Sequence, residues 1–130
     1  MTRRVAGVTD TAPAPAGPFS QSVRMGDLVA VAGQVGVDPA TGQPVGEELA
    51  AQVEQAFRNV SACLAASGAS LDDVIRVDVY LTDVADFATM NEVYAGVFAE
   101  PYPARTTVYV GLPPGLKVEV TALAVAPAAP

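Results

Sequence analysis

The chain predicts one α+β domain in which five strands and two helices follow the order β-β-α-β-α-β-β, with both helices on one face of the sheet. Two segments repeat apolar residues every three or four positions, and five shorter ones alternate or run apolar, as strands do. Clusters of Gly, Pro and Asp separate them. At 130 residues the chain fits a single domain, 1–130, and 51% hydrophobic against 16% charged residues gives it enough apolar surface to build a core.

Residues 1–16 read as an extended arm, because the Ala- and Pro-rich stretch from Thr9 to Pro18 has no period. Gln21–Met25 and Leu28–Val35 flank Gly26-Asp27, a pair suited to a two-residue hairpin turn. Asp38-Pro39-Ala40-Thr41-Gly42 is a further turn. From Glu47 to Ser67, Leu49, Val53, Phe57, Val60 and Leu64 form the apolar stripe of a long helix, which Gly68 ends. Asp72-Asp73 reads as a solvated cap, and Cys63 as a small buried hydrophobe.

Val74–Leu81 alternates, placing Ile75, Val77, Val79 and Leu81 on one side and Arg76, Asp78 and Tyr80 on the other. The second helix runs from about Val84 to Ala99 with Phe87, Met90, Tyr94 and Phe98 at helical spacing, and Pro101 and Pro103 prevent its continuation. Arg105–Leu112 and Leu116–Val125 close the sheet around Pro113-Pro114-Gly115, and 127–130 should fray. Two helices cover one face only. The apolar character of Leu28-Val29-Val31 and Val118-Val120 therefore predicts that the other face is buried against further copies of the chain.

A net charge of −7 repels phosphate backbones and anionic lipid, so nucleic acid and membrane are poor partners. The chain has no histidine and one cysteine, which leaves little from which to build a metal site. With no signal-peptide core behind Met1-Thr2-Arg3-Arg4 and no apolar run near the roughly 20 residues of a membrane span, the expected location is cytoplasmic.

Chemistry then rests on Arg105, a permanent planar cation opening an apolar strand, and Glu119, the carboxylate of the next one. If those strands pair with Thr107 opposite Glu119, then Arg105, Thr107, Tyr109, Lys117, Glu119 and Thr121 share a face. Arg105 and Glu119 become diagonal neighbours. They form either a cross-strand ion pair or a site in which Arg105 holds a ligand carboxylate while Glu119 orients water. Gly33 either admits a ligand close to the backbone or marks a bulge, and Asn91 either bonds a loop or lines a cleft.

Gly17-Pro18-Phe19-Ser20-Gln21, Ala32-Gly33-Gln34, Asn59-Val60, Asp86-Phe87 with Asn91, Pro103-Ala104-Arg105-Thr106 and Val118-Glu119-Val120 together resemble the reactive intermediate deaminase (RidA, or YjgF) family. The resemblance runs from about Ala12 to Ala126. It implies a chorismate-mutase-like fold assembled as a homotrimeric barrel, with sites at the subunit interfaces. It also implies cofactor-free hydrolysis of 2-imino and 2-enamino acids such as 2-aminoacrylate to 2-keto acids and ammonia. By that resemblance Arg105 binds the substrate carboxylate and Glu119 activates water, with Phe19, Ala32, Gly33, Asn91 and Thr107 completing the pocket. Many members carry tyrosine at Phe19, serine at Ala32 and cysteine at Thr107, so the rate and substrate preference are expected to differ. The alternative is a non-catalytic trimer that binds small carboxylates or regulates a partner protein.

Overall fold

The structure is a computed structural model that describes residues 3–128. Its elements are β1 (Val5–Gly7), β2 (Ser22–Met25), β3 (Leu28–Val35), α1 (Leu49–Ala66), β4 (Val74–Leu81), α2 (Phe87–Val97), β5 (Ala104–Tyr109) and β6 (Val118–Val125). The strands form one sheet in the order β1-β2-β3-β6-β4-β5. All neighbours are antiparallel except β4 and β5.

The arm holds an unanticipated strand, since β1 pairs with β2 at the sheet's edge. Three residues are too few for a period, and the signal lies in the tethering. The Gln21 amide donates to the carbonyls of Thr9, Ala12 and Pro13, and its oxygen accepts from Thr9 N. Gly7 is needed because a Cβ would overlap the bonded Ser22 and Ser67 hydroxyls. Residues 127 and 128 belong to no element, while 129 and 130 lie outside the described residues.

The β2–β3 hairpin turns at Gly26-Asp27 with Gly26 at φ 61°, the left-handed first position of a type II′ turn. Helix α1 ends in a Schellman motif: Gly68 N donates to Ala65 O at 3.1 Å and Ala69 N to Leu64 O at 2.9 Å. Gly68, at φ 80°, supplies the left-handed residue that the motif requires. The stripe Leu49, Val53, Phe57, Val60 and Leu64 is buried throughout, against Val29, Val77, Val79, Val118 and Val120. Each fully buried side chain of this size contributes about 1.5–3 kcal/mol. Leu64→Ala, at zero exposure, should cost about 2–5 kcal/mol.

Three expectations are corrected. The last two strands do not pair, because β6 lies between β3 and β4 while β5 pairs with β4 on the outer edge. The unit β4–α2–β5 is a parallel crossover, and adjacency through the helix outcompetes the hairpin suggested by Pro113-Pro114-Gly115. Ile75 is exposed, since a register shift between Val74 and Arg76 gives its inward place to Val74. Val29, Val31, Val118 and Val120 are buried beneath the helices, so they do not make the uncovered face apolar. That face instead carries Leu28, Ala30, Asp78, Tyr80, Glu119, Thr121, Leu123 and Val125.

Two buried amides fix the loops around this frame. Gln52 donates to the carbonyls of Gly46 and Gly115 and accepts from Lys117 N, all at 2.8–2.9 Å. Asn59 donates to the carbonyls of Val35 and Val37, at 3.0 and 2.9 Å. Satisfied buried amides are affordable, and each would be costly if its partners were left unpaired.

Candidate functional site

Arg105 stands opposite Val77 across the β4–β5 ladder, and Thr107 stands opposite Val79. Both valines are fully buried under the helices, so Arg105 and Thr107 project from the same side, toward α2. The guanidinium Nη2 donates to Asn91 Oδ1 at 2.7 Å, and Nη1 lies 3.9 Å from Met90 Sδ. Its carbon sits 4.7 Å from the Tyr94 ring centre and 5.7 Å from that of Phe87. These are cation–π distances. Among the described residues the one ion pair is Arg76–Asp78, at 3.1 Å, so no carboxylate neutralises Arg105. A half-buried, always-charged group with one strong acceptor for its five donors leaves donors available to an anion.

Tyr94, one helical turn past Asn91, forms the floor. It is 5% exposed, its hydroxyl has no hydrogen-bond partner among the described residues, and burial raises its pKa while the nearby Arg105 charge opposes that shift. A cleft of about 390 Å³ opens here, lined by Asn91, Tyr94, Ala95, Tyr102, Pro103 and Arg105.

Glu119 belongs to the other face. It stands opposite Tyr80 on β4 and alternates with the buried Val118 and Val120. A bulge on β3 sets Ala32 and Gly33 against the single residue Thr121. This brings Gly33 so close that a Cβ there would overlap the Glu119 carboxylate. The bulge alternative for Gly33 therefore holds, and the bulge sets its backbone against the Glu119 carboxylate. Ala32 N donates to Gln21 O at 3.0 Å, aligning the preceding segment, in which Phe19 is 51% exposed.

The residues singled out in the sequence thus form two groups. Asn91, Arg105 and Thr107 lie on the helix side at the β5 edge; Phe19, Ala32, Gly33 and Glu119 gather at the β3–β6 end, with Glu119 on the open face. Neither the shared face nor the diagonal Arg105–Glu119 contact exists within one chain, because β4 separates their strands and their side chains point oppositely. Asn91 takes the cleft-lining role. Asp73 Oδ2 accepts from Ser70 N at 2.8 Å, closing a capping box. Cys63 is buried, with its thiol pushed up to about 11 by desolvation.

Sequence reasoning missed Phe87, Tyr94 and Tyr102 as parts of the site. Phe87 and Tyr94 fit the apolar stripe of α2, and only their three- and four-residue offsets from Asn91 hinted that they share its face. Among the described residues no group of three or more His, Cys, Asp or Glu side chains is placed to hold a metal ion, and no helix is long and apolar enough to cross a membrane.

The family model described as Endoribonuclease L-PSP matches residues 9–126. A RutC family protein of Pyrococcus horikoshii is 47% identical over 117 residues, covering 89% of this chain and 93% of its own. The 2-iminobutanoate/2-iminopropanoate deaminase of Salmonella typhimurium is 40% identical over 129 residues, 96% and 98% of the two chains. Among solved structures, RidA from a Psychrobacter species superposes with a TM-score of 0.89 at 45% identity, covering 94% of this chain and 99% of that one. E. coli TdcF, solved with bound serine, gives 0.88 at 39% identity over 93% and 98%.

Proposed function

Because this chain belongs to the Endoribonuclease L-PSP family, whose members include the deaminases just compared, we propose that it hydrolyses reactive 2-imino and 2-enamino acids to 2-keto acids and ammonia without a cofactor. The observation that carries the reading is Arg105: a half-buried cation, oriented by Asn91 and stacked on Tyr94, with no carboxylate paired to it among the described residues. A 2-imino acid supplies that carboxylate, and the guanidinium fork takes it through parallel hydrogen bonds.

The second catalytic group, Glu119, faces away from Arg105 within one chain, so the site is composite. Arg105, Asn91 and Thr107 of one copy face Phe19, Ala32, Gly33 and Glu119 of the next in a homotrimer. The charged and apolar residues of the uncovered sheet face then lie within the assembly rather than in water.

The chemistry asks little. The substrate carbon is already electrophilic, so orientation and simple proton transfers suffice. Glu119 takes a proton from water as the water oxygen bonds to the imine carbon, and the C=N electron pair collects a proton at nitrogen. The hydroxyl of this carbinolamine then gives up its proton and the amino nitrogen takes one up, so that the carbonyl forms as the C–N bond breaks and ammonia leaves. An enamine first takes a proton at its terminal carbon to become the imine. Phe19 and Ala32 bring no hydroxyl to this pocket, so water is held mainly by Glu119 and by the backbone near Gly33.

The family description names an endoribonuclease, but a chain of net charge −7 without histidine is poorly suited to RNA. The deciding experiment uses a serine or threonine dehydratase to generate the enamine in place and follows keto-acid release. Wild type should accelerate release, while Arg105→Ala and Glu119→Gln should not. Binding of a 2-keto acid by wild type with no acceleration would replace the enzyme with a carboxylate-binding trimer.

A further inference from the structure

We infer that Asn59 is a positioning residue for the reaction: through the backbone of Val35 and Val37 it holds the end of β3 that sets Gly33 against the Glu119 carboxylate. This rests on the deaminase reading and extends it to a residue of the helix layer. Asn59 is fully buried within one chain, so its contacts do not depend on how copies assemble.

The need for an anchor follows from the bulge. Strand β3 pairs with β6 from Leu28 to Val31, loses its register, and resumes for two residues, Gln34 opposite Val120 and Val35 opposite Glu119. On its other side, β2 pairs no further along β3 than Val31. The stretch beside the acid therefore has one strand neighbour and a disrupted ladder behind it. The Val35 carbonyl accepts from Val37 N at 2.8 Å and from Asn59 Nδ2 at 3.0 Å, which occupies both of its lone pairs. The same amide donates to the Val37 carbonyl at 2.9 Å, while Gln55 Nε2, one turn earlier on α1, donates to Asn59 Oδ1 at 2.9 Å. Between the two anchored carbonyls, Gly36 lies so close to α1 that a Cβ would come 2.6 Å from Gln52 Cα. The end of β3 is thus fastened to the helix, and a side-chain amide supplies the bonds. An apolar residue could fill this place; a fully satisfied amide instead specifies one arrangement of the strand end. That arrangement matters because a base must be held within about 0.5 Å of its working place, and a misplacement of about 1 Å costs about 10²-fold.

The test measures kcat for imine hydrolysis, and Kd for 2-oxobutanoate by calorimetry, on wild type, Asn59→Ala, Gln55→Ala and Leu64→Ala where all are folded and assembled. Asn59→Ala should lower kcat about tenfold or more while Kd stays within about threefold, because Arg105 stands on β5 and does not move with β3. Leu64→Ala removes core stability from the same helix and should keep kcat within about twofold. Gln55→Ala releases the Asn59 amide oxygen and should lower kcat about threefold with Kd unchanged, which decides the matter if Asn59→Ala does not fold. A kcat loss shared by Leu64→Ala, a loss matched by Kd, or no loss in the Asn59 and Gln55 variants overturns the proposal. If wild type hydrolyses no imine the deaminase reading falls, and crystal structures of wild type and these two variants decide the positioning alone. The Glu119 carboxylate should then shift by about 0.5 Å or more against the β4 backbone in Asn59→Ala, or in Gln55→Ala if only that variant folds, and an unmoved carboxylate overturns the proposal.

Discussion

Replacing Arg105 separates a ligand-binding cation from a structural one. In the free chain its Nη2 bonds Asn91 at 2.7 Å and its carbon lies 4.7 Å from the Tyr94 ring centre, with no carboxylate among the described residues to neutralise it. Deletion therefore removes one hydrogen bond and a cation–π contact of about 0.5–2 kcal/mol, and in return relieves the desolvation of an unpaired charge. These terms oppose each other. Arg105→Met should accordingly shift Tm by no more than a few degrees. Binding is different, because a ligand carboxylate interacts with the whole charge. Truncating one partner of a buried charged pair costs about 2–5 kcal/mol, a weakening of about 30-fold to several thousandfold for a 2-keto acid such as 2-oxobutanoate.

Arg105→Lys is the sharper variant. It keeps the charge but loses the planar fork, and with it one charge-assisted hydrogen bond worth about 1.5–3 kcal/mol, so Kd should rise about 10- to 150-fold. Calorimetric titration of wild type and both variants, with Tm recorded on the same samples, supplies every quantity. The reasoning fails if Arg105→Lys binds within twofold of wild type, since the fork would then be irrelevant. It fails equally if Arg105→Met loses binding only together with a Tm drop of more than about 10 °C, which would make Arg105 a packing residue.

Glu119→Gln should lower kcat by about 10²–10⁴ while leaving 2-keto-acid Kd within a few-fold, as expected for loss of a base, and parallel losses in both would place Glu119 in binding instead. Gly33→Ala should displace the Glu119 carboxylate and reduce kcat at least tenfold with little change in Tm, because Gly33 is exposed and the group that must shift is a side chain; kinetics and a melt on one preparation decide it. Gln52→Leu strands Lys117 N and the carbonyls of Gly46 and Gly115, at about 1–3 kcal/mol for each group left unsatisfied, and should lower the urea midpoint strongly, whereas a shift of under 0.5 kcal/mol would mean water replaces the amide. Burial raises the Cys63 thiol from 9.0 to about 11, so the folded state keeps its proton where the unfolded state loses it. Stability is full below about pH 9 and falls as pH rises toward 11, by about 2–3 kcal/mol at most, and urea midpoints at pH 8 and 10.5 should differ more for wild type than for Cys63→Ala.

What the sequence made legible follows from range. The α1 stripe, the Gly68 stop, the Gly26-Asp27 turn and the Asp73 cap each depend on residues a few positions apart, and each is found where local pattern put it. Strand neighbours depend on the whole sheet. Pro113-Pro114-Gly115 is good local chemistry for a turn, but adjacency in sequence says nothing about β6 entering between β3 and β4. A stronger cue was present, since Val74–Leu81, a helix and Ala104–Tyr109 form a strand–helix–strand unit, which favours parallel neighbours. Ile75 was misplaced for a related reason, because one bulged residue inverts every assignment beyond it.

That topological error bears directly on mechanism. With the last two strands paired, Arg105 and Glu119 are neighbours within one chain, and a plain ion pair between them explains both without any ligand. With β4 between them and their side chains on opposite faces, the ion pair is impossible inside the chain, so no internal pairing accounts for either charge. Arg105 is held ready by Asn91 and Tyr94, and Glu119 is placed against Gly33 by a bulge whose two residues stand against one. Bulges that aim a side chain, and cations kept unpaired at some energetic cost, are features that stability alone does not favour. In the composite site proposed above, a dissociated chain carries both halves with neither complete. Dilution below the assembly's Kd should then abolish turnover while Arg105 remains folded against α2. Activity proportional to protein across the dissociation range, followed by light scattering, would refute the composite site.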